Sequence, residues 1–402
     1  MTKMKILFLT NEYPPAIYGG AGIHVDYLSR ELAKICTLDV RCFGNQILDN
    51  GSLQAKGYPV NTKFYTMPQP LHPVFGALQR CLDFNTANID ANLVHCHTWY
   101  THFGGILAKK NYSIPLVITT HSLEPLRPWK REQLAGGYDF SCWVEKTALE
   151  MADAVIAVSQ DTKNDILKHF NIDPKRIHII HNGIDLDEYT HTKNPEILKS
   201  RGIDPAQPYV LFVGRITRQK GIVHLINAIK HMSPDFQIVL CAGAPDTPEI
   251  AAEMQASLNA IRKIRKGIIW IQEMVDIPTK VALYSHAAVF CCPSVYEPFG
   301  IINLEAMACQ TPVVASAVGG IKEVVEEGKT GFLVPLEFNA PGFYEPKDPE
   351  KFSHDLAKKI NILMKDPALC LKMGQAGRRR AEDQFSWAAI AAKTHALYQS
   401  LL

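Results

Sequence analysis

The stretch YVLFVGRITRQKGI, residues 209–222, decides how the chain folds. A run of apolar residues ends at Gly214, the cations Arg215 and Lys220 follow, and a second apolar-periodic segment begins near Gly221. A buried strand that runs directly into a helix is the repeating unit of a parallel α/β sheet. The stretch therefore predicts a βα unit with two cations at the carboxyl end of its strand.

The same alternation extends in both directions from this stretch. Strands are predicted at 5–10, 38–43, 93–97, 116–121, 154–159, 177–182, 236–243, 268–272, 289–293 and 312–316, with a further edge at 332–336. Helices are predicted at 24–35, 221–232, 247–265, 278–286 and 302–309, among others. Repeated strand–helix alternation predicts doubly wound parallel sheets.

The polar segment 190–208, which carries three prolines and a glycine, interrupts the alternation and predicts a linker. We therefore expect an α/β fold with two Rossmann-like doubly wound domains, 1–195 and 203–385, facing a cleft. A helix at about 386–402 is expected to pack back on the first domain. Because open parallel sheets bind ligands beyond the carboxyl ends of their strands, a ligand site in the cleft is the default expectation.

Composition argues against several classes of partner. The chain has 402 residues, and 42 Lys and Arg against 40 Asp and Glu give a formal charge of +2. Neither nucleic acid nor a membrane surface is expected as a partner from this balance. The ten cysteines form no C-x-x-C pair, and the apolar run before Asn11 is too short for a signal peptide. We expect a cytoplasmic protein; the sequence allows a homodimer without specifying one.

Arg215 and Lys220 are candidate ligands of a diphosphate. A guanidinium can chelate phosphate oxygens, an ammonium adds a point charge, and a helix N-terminus near Gly221 supplies N–H groups. The alternative is that both are solvated surface cations, and spacing alone leaves the two readings equally open.

The segment PSVYEPFGIINLEAMA (293–308) carries two carboxylates eight positions apart, Glu297 in a loop and Glu305 in an apolar helix. Each carboxylate can accept two hydrogen bonds, so each suits a pair of sugar hydroxyls. The amides of Gly300, Ile301 and Ile302 open the helix and can meet a phosphate. The alternatives are an exposed helix residue and a loop charge, or a hydrolase with paired carboxylates.

A glycine-rich loop, NEYPPAIYGGAGIHV (11–25), follows the first strand, and Gly19 and Gly20 allow a ligand close to the backbone. Asp39 lies where the acidic residue of a dinucleotide fingerprint belongs. However, Val25 replaces the third glycine and the loop is long, so an NAD-dependent oxidoreductase is only a weak alternative.

Three histidines lie at or near the ends of predicted strands. His121 can exchange a hydrogen bond with a sugar hydroxyl as a neutral imidazole, although a lone histidine is more often structural. His95 and His97 share a strand face, but no third ligand has convincing spacing. We therefore expect no metal and no cofactor.

Together, GGAG in the first loop, TTHS at a strand end, VGRITRQKG, and EPFGIINLEAMACQTPVVAS resemble the GT-B retaining glycosyltransferases of family 4 over nearly the whole chain. PPAIYGGAGIHV, RPWKREQLAGGYDFSCWVEKTALEMADAVIAVS and LCAGAPDTPEI resemble the ADP-glucose-dependent glucosyltransferases of actinobacterial type, which include glycogen synthases and α-maltose-1-phosphate synthases. The loop IYGGA (17–21) lacks the lysine that the usual bacterial glycogen synthases carry in K-x-G-G-L.

The resemblance implies a role for each matching residue. The donor, ADP-glucose or UDP-glucose, would have its diphosphate held by Arg215 and Lys220 and would lie against Gly19 and Gly20. Glu297 would bind glucose hydroxyls, Glu305 the ribose, and His121 the 6-hydroxyl of glucose. The acceptor hydroxyl would attack from the side of the leaving group, with Arg215 and Lys220 stabilising the charge on the departing phosphate.

The acceptor is left open between an α-1,4-glucan and glucose 1-phosphate. Arg127 and Lys130 could bind an acceptor phosphate while Trp129 stacks on a sugar, or all three could start a solvated helix. A non-hydrolysing nucleotide-sugar epimerase uses the same architecture and is the other enzyme class to weigh.

Overall fold

The computed structural model describes residues 3–60, 66–243, 245–340 and 344–402. The chain forms two compact units, Met1–Gly183 together with Trp387–Leu402, and Ile184–Ser386. Each unit is a parallel α/β domain, and the predicted fold class is confirmed in this respect.

The first unit is built on a sheet whose strands are β1 (Lys5–Thr10), β2 (Thr37–Phe43), β3 (Ile47–Asp49), β4 (Leu53–Tyr58), β5 (Leu93–His97), β6 (Leu116–Thr120), β7 (Ala154–Ala157) and β8 (Ile177–Ile179). Its helices are α1 (Gly20–Leu32), α2 (His72–Thr86), α3 (Trp99–Tyr112), α4 (Arg131–Leu134), α5 (Gly137–Met151) and α6 (Gln160–His169). The strand order is β3-β4-β2-β1-β5-β6-β7-β8, and only the β3–β4 pair is antiparallel among the pairings described.

The second unit contains α7 (Glu196–Ser200), β9 (Tyr209–Arg215), α8 (Ile222–Ala228), β10 (Gln237–Gly243), α9 (Pro248–Arg262), β11 (Ile268–Ile271), α10 (Ile277–His286), β12 (Val289–Cys292), α11 (Ile301–Ala308), β13 (Val313–Ser316), α12 (Ile321–Val324), β14 (Gly331–Val334), α13 (Pro349–Met364) and α14 (Pro367–Gln384). The sheet order is β11-β10-β9-β12-β13-β14, all parallel. This is the Rossmann order 3-2-1-4-5-6.

The helix starts of the second unit follow from local sequence. A polar residue accepts a hydrogen bond from an amide of the first turn and is followed by proline within the first two helical positions in α9, α10, α13 and α14. The capping residues are Thr247, Asp276, Asp348 and Asp366. Such caps satisfy N–H groups that the helix cannot, and proline needs none there.

The helix α15 (Trp387–Gln399) closes the first unit. Trp387 stacks on Tyr27 of α1 with ring centroids 5.7 Å apart. A side chain on Gly183 would come within 2.6 Å of the Trp387 ring, so glycine is required for this close approach. The helix therefore completes the core on the α1 side of the sheet.

The predicted domain boundary near 195–203 is wrong. Residues 184–195 belong to the second unit, because Ile184 donates its amide to the carbonyl of Phe385 and Tyr189 donates its hydroxyl to Glu305. Within the predicted linker the short helix α7 buries Leu198. The predicted helix at 221–232 ends as an α-helix at Ala228 and continues as one 3₁₀ turn, Ile229–His231.

Across the described ranges, none of the helices combines the length and the hydropathy needed to cross a bilayer.

Candidate active site

In each sheet the strand order reverses between its first and fourth parallel strands. This point lies between β1 and β5 in the first unit and between β9 and β12 in the second. Parallel α/β sheets bind ligands at the carboxyl ends of the strands that flank such a point. The predicted site residues lie at the ends of these strands or their neighbours, or in the loops and helices that follow them.

Arg215 is the last residue of β9, and its Nη1 donates to Asp246 Oδ1 at 2.7 Å. Both side chains are partly accessible. Asp246 follows β10, the neighbour of β9, so two adjacent strand ends supply a cation and its counter-ion. The sequence prediction identified Arg215 and missed Asp246.

Lys220 and Glu297 form the central ion pair of the second unit. Lys220 Nζ lies 2.6 Å from Glu297 Oε2, and the two side chains are 18% and 9% exposed. Ser294 also donates to Glu297 Oε2, at 3.3 Å. The structure thus brings together two motifs that stand 77 positions apart in the sequence. Removing one partner of such a shielded pair would leave the other charge uncompensated.

The backbone around this pair allows little freedom. Gly221 has a φ of +62° and a side chain there would lie 2.1 Å from the Pro293 carbonyl oxygen. Val295 donates its amide to the carbonyl of Gln219 at 2.9 Å. The loops after β9 and β12 are therefore packed against each other, which fixes where Lys220 meets Glu297.

Glu297 is also held from its main chain. Its carbonyl accepts the Gly320 amide at 3.0 Å, and a side chain on Gly319 would come within 1.9 Å of that carbonyl oxygen. Gly300, with φ +97°, precedes α11, where Ile301 and Ile302 are the first helical residues. The three predicted amides therefore do lie at a helix start.

Glu305 is 1% exposed and its carboxylate accepts three hydrogen bonds. Tyr189 and Lys280 donate to Oε1, and Tyr284 donates to Oε2, each at 2.9 Å. Burial and the neighbouring carboxylate raise the pKa values of both tyrosines, so the hydroxyls remain protonated donors. Sequence reasoning did not predict these three partners, since only an unexplained charge in an apolar helix was visible.

The glycine loop of the first unit is closed by Glu12. Its Oε2 accepts the amides of Tyr18 and Gly19 at 2.8 and 2.7 Å. A side chain on Gly22 would come within 2.7 Å of the same oxygen. The Gly19 amide therefore already has a partner, while Gly20 is the first residue of α1.

His24, His97 and His121 gather at the strand ends of the first unit. One ring nitrogen of each lies within 4.8 Å of the others. His97 Nδ1 is 3.1 Å from His121 Nε2, and His24 Nδ1 is 2.6 Å from Asn182 Oδ1. Burial lowers the pKa of His24 to about 4 and the pKa values of His97 and His121 well below 6.5. These imidazoles are neutral at pH 7.

His95 and His97 do lie side by side, with ring centroids 4.2 Å apart, but the two rings have different hydrogen-bond partners. His95 is bound on both ring nitrogens, by the Tyr398 hydroxyl at 2.6 Å and the Thr119 hydroxyl at 2.7 Å. The companions of His97 are instead His24 and His121, which the spacing argument did not identify because they lie on other elements.

Arg127 and Lys130 are not a solvated helix start. Arg127 Nη1 lies 3.2 Å from Ser122 Oγ and 3.5 Å from Glu124 Oε1, while Lys130, 8% exposed, lies 3.8 Å from the same carboxylate oxygen. Trp129 is half-buried. The two cations therefore share one buried carboxylate.

A second carboxyl group, Glu145, accepts the Glu124 amide at 2.7 Å. Burial and the Glu124 charge raise the pKa of Glu145 well above 4.5. Arg131, the next cation along the chain, instead pairs with Asp139 in solvent.

The dinucleotide alternative fails on geometry. Asp39, its candidate ribose ligand, pairs with Arg41 on the same strand at 2.9 Å. The loop between β1 and α1 spans residues 11–19, far longer than the tight turn that the fingerprint needs.

Comparison with known proteins agrees with this geometry. Residues 18–188 match the model of Glycosyltransferase Family 4 and residues 193–380 match that of Glycosyl transferases group 1. The alpha-maltose-1-phosphate synthase of Mycolicibacterium smegmatis is 46% identical over 99% of this chain and 100% of its own. That of Mycobacterium tuberculosis is 45% identical with the same coverage.

Among solved structures, a sucrose-phosphate synthase from Thermosynechococcus elongatus superimposes with a TM-score of 0.80 at 25% identity, covering 99% of both chains. Two family models that together span most of the chain, and relatives aligned over their full length, give one answer: the chain belongs to the GT-B glycosyltransferases of family 4 and is a glycosyltransferase.

Proposed function

We propose that this enzyme transfers glucose, with retention of configuration, from ADP-glucose or UDP-glucose onto glucose 1-phosphate or an α-1,4-glucan. The Lys220–Glu297 pair is the observation that carries the proposal. It puts a cation that can bind phosphate and a carboxylate that can bind hydroxyls side by side at the point where the strand order of the sheet reverses. The two mycobacterial relatives are named as synthases of α-maltose 1-phosphate, the product expected from a donor glucose and glucose 1-phosphate, and this supports the proposal.

In this proposal Arg215 and Lys220 bind the donor diphosphate. An ammonium has three N–H donors and a guanidinium five, so each can hold its carboxylate and a phosphate oxygen at once. As the glycosidic bond breaks, negative charge grows on the leaving phosphate. Fixed cations stabilise that charge without reorganising, and the amides of Gly300, Ile301 and Ile302 add partial positive charge. No metal or cofactor is required.

The sugar and ribose contacts use carboxylates that are already oriented. Glu297 is held through Oε2, which leaves Oε1 for glucose hydroxyls. Glu305 has two donors on Oε1 and one on Oε2. Since each oxygen has two lone pairs, Oε2 can accept one ribose hydroxyl. His121, neutral at pH 7, contacts the 6-hydroxyl of glucose.

Arg127 is proposed to bind the acceptor phosphate. Its Nε is buried without a hydrogen-bond partner in the described part of the chain, and its side chain is 15% exposed. An Arg–phosphate hydrogen bond is charge-assisted and stronger than a bond to a neutral sugar hydroxyl. We therefore propose that glucose 1-phosphate is the better small acceptor, with Trp129 and Lys130 completing the site.

The test combines ADP-glucose or UDP-glucose with glucose 1-phosphate or a maltooligosaccharide, and the products are read by mass spectrometry. A disaccharide phosphate or an elongated oligosaccharide is expected. Failure to form a glycosidic bond from any of the four combinations, with the folded protein, would contradict the proposal.

The acceptor assignment has a matched pair of variants. Arg127→Ala should raise the KM for glucose 1-phosphate about 10- to 100-fold, since a hydrogen bond to a charged group contributes about 1.5–3 kcal/mol. The KM for a maltooligosaccharide should change little. Arg131→Ala, which removes a cation paired with Asp139 in solvent, should leave both values unchanged. Equal KM changes for the two acceptors in Arg127→Ala would refute the contact between Arg127 and the acceptor phosphate, and would leave the proposed glucosyl transfer untouched.

A further inference from the structure

The hydrogen bond between His97 and His121 joins a fully buried histidine to the proposed sugar contact. His97 is the last residue of β5, and β5 pairs with β6 so that His97 stands beside Thr119. His121 follows two positions later, where its Nε2 reaches His97 Nδ1 at 3.1 Å. The rings are nearly parallel, 29° apart, with centroids at 5.3 Å.

Two neutral imidazoles can form this bond in only two ways. If His97 Nδ1 carries the proton, His121 Nε2 accepts and the proton of His121 is on Nδ1. If His97 Nδ1 accepts, His121 carries its proton on Nε2 and has a lone pair on Nδ1. The tautomer of His97 therefore decides whether Nδ1 of His121 donates or accepts.

His97 is itself tightly held. It is fully buried, it packs against Phe8 with centroids 5.1 Å apart, and His95 lies 4.2 Å away. His95 is in turn fixed by hydroxyls on both of its nitrogens. His97 thus presents Nδ1 to His121 from a position that cannot easily move.

We propose that His97 is a positioning residue that fixes the ring orientation and the tautomer of His121. This inference rests on the proposed role of His121 as a contact of the donor glucose. In this role His97 touches no substrate; it engages Nε2 of His121, which leaves Nδ1 of His121 for the sugar. Nε2 of His97 is buried without a hydrogen-bond partner among the described residues, so a proton there would be buried without an acceptor. The proton of His97 therefore belongs on Nδ1, and His121 presents Nδ1 to the sugar as an N–H donor.

A three-histidine metal site would be the competing use of these rings. Tetrahedral Zn²⁺ with Zn–N bonds of about 2.0–2.1 Å needs nitrogens about 3.4 Å apart. The three ring nitrogens lie within 4.8 Å of one another, and the His97–His121 separation of 3.1 Å is that of a hydrogen bond. The geometry favours the hydrogen bond.

The first measurement needs no substrate. In protein labelled with ¹⁵N-histidine, the two-bond N–H correlations of His121, assigned with a His121→Gln variant, distinguish protonated from bare ring nitrogens. We expect wild-type His121 to show one protonated and one bare nitrogen at pH 7. An exchange-averaged pair of signals in the wild type would overturn the proposal.

The variants His97→Asn and His97→Leu form the matched pair. An asparagine amide can replace Nδ1 as donor or acceptor, whereas leucine can do neither. His121 should keep a single tautomer in His97→Asn and lose it in His97→Leu. A single unchanged tautomer in folded His97→Leu would refute the positioning role, as would loss of the tautomer in His97→Asn.

Kinetics then separates positioning from a structural effect. In His97→Leu we expect kcat to fall about 10- to 100-fold, the scale of a misplaced reacting group, with little change in donor KM. His97→Asn should recover most of that loss. If the wild type transfers no glucose, the proposed function fails while the tautomer result still stands. If the wild type bound Co²⁺ stoichiometrically with a visible absorption band, and both variants lost that binding, the three histidines would form a metal site and the positioning role would be refuted.

Discussion

The buried histidines of the first unit should make its stability depend steeply on pH. Burial lowers the pKa of His24 to about 4 and that of His102 to about 3, and it lowers the pKa values of His95, His97 and His121 well below 6.5. In the unfolded chain each ring regains a pKa near 6.5. The unfolded state therefore binds more protons below about pH 6.5, and stability falls as pH falls.

The magnitude follows from proton linkage. Between pH 7 and pH 5.5, a histidine that stays neutral when folded loses about 1.2 kcal/mol of stabilisation. For the five rings the loss is about 6 kcal/mol. Glu145 offsets at most about 2 kcal/mol of this loss, because its raised pKa lets the folded state hold a proton. A net loss of about 4–6 kcal/mol is a large share of the 5–15 kcal/mol typical of folded proteins.

Urea unfolding at pH 7 and pH 5.5 measures this loss. Four of the five tryptophans lie in the first unit, so fluorescence reports mainly on it. His102 has no hydrogen-bond partner on either ring nitrogen among the described residues, and His102→Leu should reduce the pH effect by about 1.2 kcal/mol. His354→Gln, at a side chain 62% exposed, is the control and should leave the effect unchanged.

If the free energy of unfolding fell by less than about 2 kcal/mol between pH 7 and pH 5.5, the reasoning would be refuted. It would mean that the rings accept protons inside the folded unit, and that the cluster around His121 is charged at pH 5.5.

Three further outcomes are expected. In steady-state assays, Lys220→Ala and Arg215→Ala should each lower kcat/KM about 30- to 1,000-fold, because each variant removes one cation that stabilises the developing charge. An unchanged kcat/KM in both folded variants would exclude the phosphate role. Activity should survive excess EDTA, and a complete loss restored by Mg²⁺ or Mn²⁺ would contradict the metal-free proposal. In chemical denaturation, Gly221→Ala should lower the free energy of unfolding by more than the roughly 1–2 kcal/mol of left-handed backbone strain, because the added methyl group also meets Pro293. The control Gly202→Ala, at φ +73° with no atom within 4 Å, should show the strain alone.

The fold was predictable because its signal is local. Apolar runs at β1, β9 and β12 stand out from polar flanks, and their alternation with helices identifies parallel sheets. The strand β4, which lies between β2 and the edge strand β3, escaped prediction because LQAKGY has few apolar residues and contains glycine. The domain boundary escaped because the change of unit at 183–184 falls in a segment with no marked change of composition, while the polar stretch that looked like a linker belongs to the second unit.

For the site, the motifs identified the cations and carboxylates that the structure places at strand ends. Their partners were not visible, because a pairing such as Arg215 with Asp246 or Glu305 with Tyr189 depends on which loops meet in space. The histidine cluster shows the same limit: His24 lies on α1, far in sequence from His97 and His121.

The first unit is discontinuous in the chain, and this has a consequence for its synthesis. Trp387, which packs on Gly183 and Tyr27, and Tyr398, which binds His95, are made after every residue of the second unit. During translation His95 lacks its Tyr398 partner, and the α1 side of the sheet lacks part of its apolar covering, while about 200 further residues are added at roughly 5–20 per second. For some tens of seconds the first unit has a sheet but lacks its closing helix, and a chain released before residue 387 would leave that sheet permanently open to solvent and to other chains.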